Sequence, residues 1–214
     1  MYNFFTLIER LSLEPTAPDA YNQFGAGDNS YNAIRRANLL RYLQTLYSRG
    51  TKWMLLGEAP GYRGMRLTGL PMTGRRQLRE GVPELEMFGL MRGYQDVPEP
   101  GFEAIQSEQT ATILWTLLPE LGIVPLVWGA FPFHPCQLGN PLSNRKPRTH
   151  EVKQGKPFVR ELLDIFKPEK VIAVGNVGYG LLTEMGVPCV KVRHPAQGGK
   201  NEFVAGMRFE ANLT

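Results

Sequence analysis

Residues 53–61 read WMLLGEAPG. Apolar side chains run up to Gly57, and one acid, Glu58, then stands between small and rigid neighbours. A short apolar run closed by glycine is the pattern of a buried parallel strand entering a loop. The segment therefore predicts a strand over 53–57, with Glu58 just past its carboxyl end. A carboxylate there is either a solvated loop charge or a group held in place for chemistry, and the run by itself supports both.

The pattern recurs along the chain. IVPLVWGAF at 123–131 reads as a second buried strand, with Pro125 near its start, where a missing amide donor is tolerated. VIAVG at 171–175 is a third, and VPCVKVRHP supplies a fourth that runs into a basic loop. Between them lie helical patterns. Residues 30–47 place Ile34, Leu39, Leu40, Leu43 and Leu46 at near-helical spacing, with Gly50 as a stop. Residues 102–118 are helical again, 151–166 end in a helix, and 177–185 form a helix closed by Gly186. Residues 62–100, rich in glycine and proline, read as a long loop with at most one short helix. Strands separated by helices imply βαβ units, hence an α/β fold with a mostly parallel sheet and helices on both faces. Ligands bind such sheets at the carboxyl ends of the strands. GEAPG, AFPFHP and RHPAQGG, far apart in the chain, all fall at those ends.

The 214 residues, 43% hydrophobic and 21% charged, fit one globular domain spanning 1–214. No run of about 18 apolar residues exists to span a bilayer, and MYNFFTLIERLSLEP lacks the basic start and cleavage site of a secretory signal. A cytoplasmic protein without membrane association is expected. Two cysteines are too few for an iron–sulfur cluster, and three histidines leave little for zinc, so neither metal nor cofactor is expected. Cys136 and Cys189 read as buried free thiols. The net charge of +4 permits an acidic partner without demanding one. Arg63, Arg66, Arg75, Arg76 and Arg79 follow GEAPG; Arg145, Lys146, Arg148, Lys153 and Lys156 follow a proline-rich loop; Lys191, Arg193 and Lys200 surround His194. Such placement suits a phosphate backbone, although scattered solvated cations would look the same.

GEAPG, NRKP at 144–147, VIAVGNVGYGLL and RHPAQGG, in this order, resemble the uracil-DNA glycosylase superfamily. The GEAPG form is similar to the thermophilic-type branch. GYRGMRLTGLP with AFPFHP resembles bacterial members without the iron–sulfur cluster. The match covers roughly residues 30–205. The resemblance implies a three-layer α/β/α sandwich around a four-stranded parallel sheet. It further implies a protein that binds DNA at one sheet edge, extrudes a nucleotide and hydrolyses its N-glycosidic bond to leave an abasic site; a monomer is expected.

Breaking that bond leaves positive charge on the sugar and negative charge on the base, which a carboxylate and a hydrogen-bond donor together stabilise. By the resemblance, Glu58 lies beneath the sugar and orients or deprotonates water, and His194 donates to the departing base. The loop Pro195, Ala196, Gln197, Gly198 and Gly199 resembles the minor-groove wedge; a tight turn without DNA contact is the plainer reading. Gly57, Ala59, Pro60 and Gly61 would form the base pocket. Asn144, Lys146 and Arg193 would hold phosphates, and Arg145 either joins them or ties its loop to the core. Two positions depart from the family pattern. Met72 stands where a phenylalanine stacks on the base, and Gly129, beside Trp128, stands where an asparagine reads the pyrimidine edge. Three explanations follow: uracil removal through backbone groups, a pocket widened for a larger base such as a hypermodified cytosine of phage DNA, or DNA binding without cleavage. The favoured one is a glycosylase of broadened or shifted specificity. A phosphohydrolase is a distinct alternative, but the chain shows no P-loop, no GxGxxG and no paired aspartates at strand ends.

Overall fold

The structure, a computed structural model, describes residues 3–27 and 29–212. Its strands are β1 (Ala20–Tyr21), β2 (Trp53–Gly57), β3 (Leu126–Gly129), β4 (His134–Pro135), β5 (Lys170–Val174) and β6 (Val190–Val192). Its helices are α1 (Phe5–Leu13), α2 (Ser30–Ser48), α3 (Met65–Thr68), α4 (Arg75–Glu80), α5 (Gln109–Leu121), α6 (Thr149–Phe166), α7 (Asn176–Glu184) and α8 (Lys200–Asn212). Four strands form a parallel sheet in the order β3-β2-β5-β6, and β1 pairs antiparallel with β4 as a separate ribbon. Every residue of β2 and β3 is buried, as a sheet covered by helices on both faces requires. Among the described residues no helix is long and apolar enough to cross a membrane.

Connectivity opens the site. The chain leaves β2 toward β3 on one side and leaves β5 toward β6 on the other, so the connections diverge between β2 and β5. A crevice forms at such a switch point, outside the carboxyl ends of the strands. Helix α7 closes one wall of it by lying directly on β2. A Cβ at Gly178 would come within 2.3 Å of the Leu56 carbonyl oxygen, so only glycine permits this approach.

The strand and helix readings at 30–47, 53–57, 171–175 and 177–185 match β2, β5, α2 and α7 closely. Elsewhere tertiary contacts move the boundaries. The helix expected from 102 begins only at Gln109, where the Glu108 carboxylate accepts from the amides of Thr110 and Ala111 at 2.9 and 2.6 Å. The preceding carbonyls are used otherwise: Phe102 accepts from the buried Arg75 guanidinium at 2.9 Å, and Gln106 accepts from the Arg76 amide at 2.7 Å. The second strand shortens to Leu126–Gly129, because beyond it the amides of Ala130 and Phe131 donate to the carbonyls of Gly57 and Glu58. Helix α6 starts earlier than expected, its first turn closed by Glu151 accepting the Arg148 amide at 2.7 Å. The long loop holds two short α-helices, α3 and α4, and two 3-10 turns, Pro83–Leu85 and Leu90–Arg92, rather than one short helix.

Several arginines expected in the phosphate footprint belong to the interior. Arg66 is 4% exposed, pairs with Glu99, and lies between the rings of Tyr21 and Phe102 at 4.3 and 4.1 Å. Arg75, equally buried, is held by Asp96 at 2.9 Å. Cys136 and Cys189 are free thiols, the first buried and the second half-buried.

Candidate active site

At the switch point a cavity of about 780 Å³ is lined by the segments after β2, β3, β5 and β6 together with the loops at 64–72 and 144–146. It brings together Glu58, Ala59, Pro60, Gly61, Met72, Trp128, Gly129, Asn144, Arg145, Lys146, Arg193, His194, Ala196 and Gln197. Gly57, Pro195, Gly198 and Gly199 stand outside the lining. Gly57 is covered by the Met72 methyl, which lies 2.2 Å from where a Cβ would be. Pro195 and Gly199 are buried, and Gly198 faces solvent.

Glu58 is half-buried at the end of β2, its carbonyl held by the Phe131 amide at 3.0 Å. Burial raises its pKa above the ordinary carboxylate value, and the Lys146 charge partly offsets this. Replacing Lys146 by methionine removes that offset. The expected outcome is a further rise in the Glu58 pKa, read by carboxyl-carbon NMR titration; an unchanged titration would disprove the coupling.

His194 is placed with opposite electrostatics. Burial, and then the neighbouring Arg193 charge, lower its pKa, so the ring is neutral at pH 7. Its Nδ1 accepts the Ala196 amide at 3.1 Å, which puts the proton of the neutral ring on Nε2. The imidazole is therefore a preset neutral donor. An ionised carboxylate and a neutral N–H donor on one cavity can stabilise a cation and an anion as they separate.

Asn144 locks the loop after β2. Its Oδ1 accepts the Tyr62 amide at 3.0 Å, and His134 Nε2, which also donates to the Ser143 carbonyl at 2.9 Å, contacts the same oxygen at 3.3 Å. His134 is fully buried, and burial drops its pKa to about 4, so it too is neutral. The sequence signal for it was the AFPFHP segment at the strand ends. Arg145 ties its loop to the core: the guanidinium forks onto Glu151 at 2.6 and 2.7 Å and reaches Asp19 at 3.1 Å. Lys146, Lys191 and Arg193 remain as exposed cations on the lining. Lys191 belongs to the basic group expected around His194, whereas Gly175 and Asn176 at the start of α7 were missed by sequence reasoning; a strand-end glycine like Gly57 was the available signal.

Trp128 is fully buried, and among the described residues its indole N–H has no acceptor. Gly129 is packed from behind: a Cβ there would meet the Phe131 carbonyl oxygen at 3.0 Å and the Glu58 carbonyl oxygen at 3.5 Å. An asparagine at 129 therefore presses on the backbone that holds Glu58, and it cannot be added without moving that loop.

Exposed cations over a cavity at a parallel-sheet switch point suit a polyanion, and the acid–donor pair suits a bond that breaks into a cation and an anion. Both features are those of a hydrolase acting on a glycosidic bond in nucleic acid. The chain belongs to the uracil DNA glycosylase superfamily, whose sequence profile matches residues 45–209, and it is a DNA glycosylase. Its structure is similar to the crystal structure of Pedobacter heparinus SMUG2, with a TM-score of 0.58 and 13% identity over 96% of this chain and 97% of that one. That likeness shows the fold, a four-stranded parallel sheet flanked by helices. Comparison with curated proteins found no match.

Proposed function

We propose that the protein extrudes one nucleotide of DNA into this cavity and hydrolyses its N-glycosidic bond, and that the preferred base is a bulky modified pyrimidine such as a hypermodified cytosine of phage DNA. The observation that carries the substrate reading is the open wall. Met72 contributes a flexible thioether folded onto Gly57, and Gly129 presents no reading group, its own Cβ position being taken up by the Phe131 and Glu58 carbonyl oxygens. The cavity of about 780 Å³ lies in the upper part of the range of roughly 300–1,000 Å³ that suits drug-sized ligands. A lone uracil ring leaves much of that space empty.

In this reading the Glu58 carboxylate faces the sugar, stabilises its developing positive charge and accepts a proton from the attacking water. The His194 Nε2–H donates to the oxygen of the departing base, and because the ring is already neutral no full proton transfer is needed. Lys146 and Arg193 hold phosphates; Arg145, committed to Asp19 and Glu151, holds the loop that carries Asn144 and Lys146. Residues 195–199 approach the DNA backbone. The enzyme would act in the cytoplasm, against phage DNA rather than in repair alone.

The test is base release from single- and double-stranded oligonucleotides carrying a bulky modified cytosine, uracil or hypoxanthine, read as alkali-labile abasic sites. The modified cytosine is expected to leave fastest. Met72→Phe should narrow the pocket and reverse the order, favouring uracil. If uracil is released by the wild type as fast as any modified base, the widened pocket is wrong; if no base is released, the protein is a DNA-binding member of its family.

A further inference from the structure

Extruding a nucleotide leaves a gap in the base stack, and proteins that open such gaps fill them with apolar side chains. The loop at 195–199 offers none. Pro195 and Gly199 are buried, Ala196 is half-buried with its amide on His194, and the exposed positions are Gln197 and Gly198. Exposed apolar side chains occur instead on the loop after β4. All of residues 137–142 are exposed, and they carry Leu138 at 74% and Leu142 at 46% exposure.

This loop is built stiff. The Asn140 amide donates to the Gln137 carbonyl at 2.9 Å, and the Ser143 hydroxyl accepts from the Gln137 amide at 2.8 Å while donating to the Asn140 carbonyl at 2.7 Å. Its neck is pinned by Arg145, whose amide donates to the Pro135 carbonyl and whose Nε donates to the Cys136 carbonyl, both at 3.1 Å. The chain returns from the tip straight into Asn144 and Lys146 on the cavity wall. The loop follows the segment that leaves β3, one outer strand of the sheet, whereas the 195–199 loop follows β6, the other outer strand. Paired leucines held rigidly in water beside a polyanion site are a preorganised apolar contact.

We infer that Leu138 and Leu142 are an apolar wedge that enters the DNA duplex on the β3 side of the cavity and occupies the space left by the extruded nucleotide. The inference rests on the extrusion reading above. The duplex is the occupant that fits, because the chain runs from the leucines directly into Asn144 and the exposed Lys146, both on the cavity lining.

The test uses the full chain and a duplex holding a non-cleavable abasic-site analogue with 2-aminopurine as its neighbour. Wild-type binding is expected to raise 2-aminopurine emission severalfold. Leu138→Ser/Leu142→Ser should lose most of that rise with an unchanged melting temperature, and Leu138→Met/Leu142→Met should retain it. On any base the enzyme releases, the serine variant should slow duplex cleavage at least tenfold more than single-strand cleavage. Unaltered emission in the serine variant overturns the wedge and leaves extrusion standing; no emission change in the wild type overturns both. A wild-type dimer that the serine variant splits, with the emission response intact, assigns the leucines to a contact between copies and likewise overturns the wedge.

Discussion

Glu58→Gln is expected to lower base release by about 10³–10⁴-fold, the upper part of the range for losing a positioned acid–base group, while raising the melting temperature at neutral pH. Glutamine keeps the shape and hydrogen-bonding capacity of the side chain and removes only its charge. The loss of activity follows if that charge faces the developing sugar cation. The gain in stability follows from burial. Glu58 has a folded-state pKa above its ordinary value, so the folded protein holds its proton more tightly than the unfolded chain does. The cost of burying the charge is absent below the ordinary carboxylate pKa, grows as pH rises through the folded-state pKa, and is complete above it. The variant should therefore melt higher than the wild type at pH 7.5, by about 2–4 °C for each kcal/mol recovered, and the two should converge in acid. Activity that survives the change removes Glu58 from the chemistry; a lower melting temperature at pH 7.5 removes the burial argument.

What was legible in the sequence divides along physical lines. β2 could be read because a strand buried on both faces must be apolar throughout, and its end placed Glu58 at the sheet edge. His194 was legible from its RHP context just past the last strand, although β6 itself is short and exposed at two of its three residues. The arginines were not. Arg66 and Arg63 look alike in sequence, yet one is enclosed by Glu99, Tyr21 and Phe102 and the other is exposed against Tyr62. Their partners lie far along the chain, and local charge patterning carries no information about such pairs. Arg145 is similar, since Asp19 is 126 positions away. Residues 102–108 carry a helical pattern, but Arg75 and the Arg76 amide take their carbonyls, so the helix waits for Glu108. Gly129 shows a different limit. The sequence presents it as a deleted reading group, whereas the structure adds that the Phe131 carbonyl crowds any replacement.

Glu99→Gln should produce the largest loss of stability in the molecule. One carboxylate serves two guanidiniums: Arg35, whose side chain is 0% exposed, and Arg66, at 5%. Removing one partner of a buried ion pair costs about 3–5 kcal/mol because the other charge stays desolvated. With two cations abandoned, the upper end applies, against a total stability of about 5–15 kcal/mol. At about 2–4 °C per kcal/mol, the melting temperature should fall by roughly 10–20 °C. Arg66→Met is the informative control. It leaves Arg35 and Glu99 as a neutral pair and deletes a side chain whose Nε already lacks a partner, so it should cost less than half as much. Acid supplies a second reading. Burial alone would raise the Glu99 pKa, but the hydrogen bonds and charges of Arg66 and Arg35 outweigh it and hold the group below its ordinary value. Its contribution is therefore present above the ordinary carboxylate pKa and lost as pH falls through the folded-state pKa. Wild-type stability should drop in that window, and the Glu99→Gln curve should be flatter there. The damage should also reach the cavity, because Arg66 supports Tyr21, Tyr21 pairs with His134 across the β1–β4 ribbon, and His134 contacts Asn144. If Arg66→Met proves as costly as Glu99→Gln, the aromatic sandwich around Arg66, rather than the shared carboxylate, holds this corner of the fold.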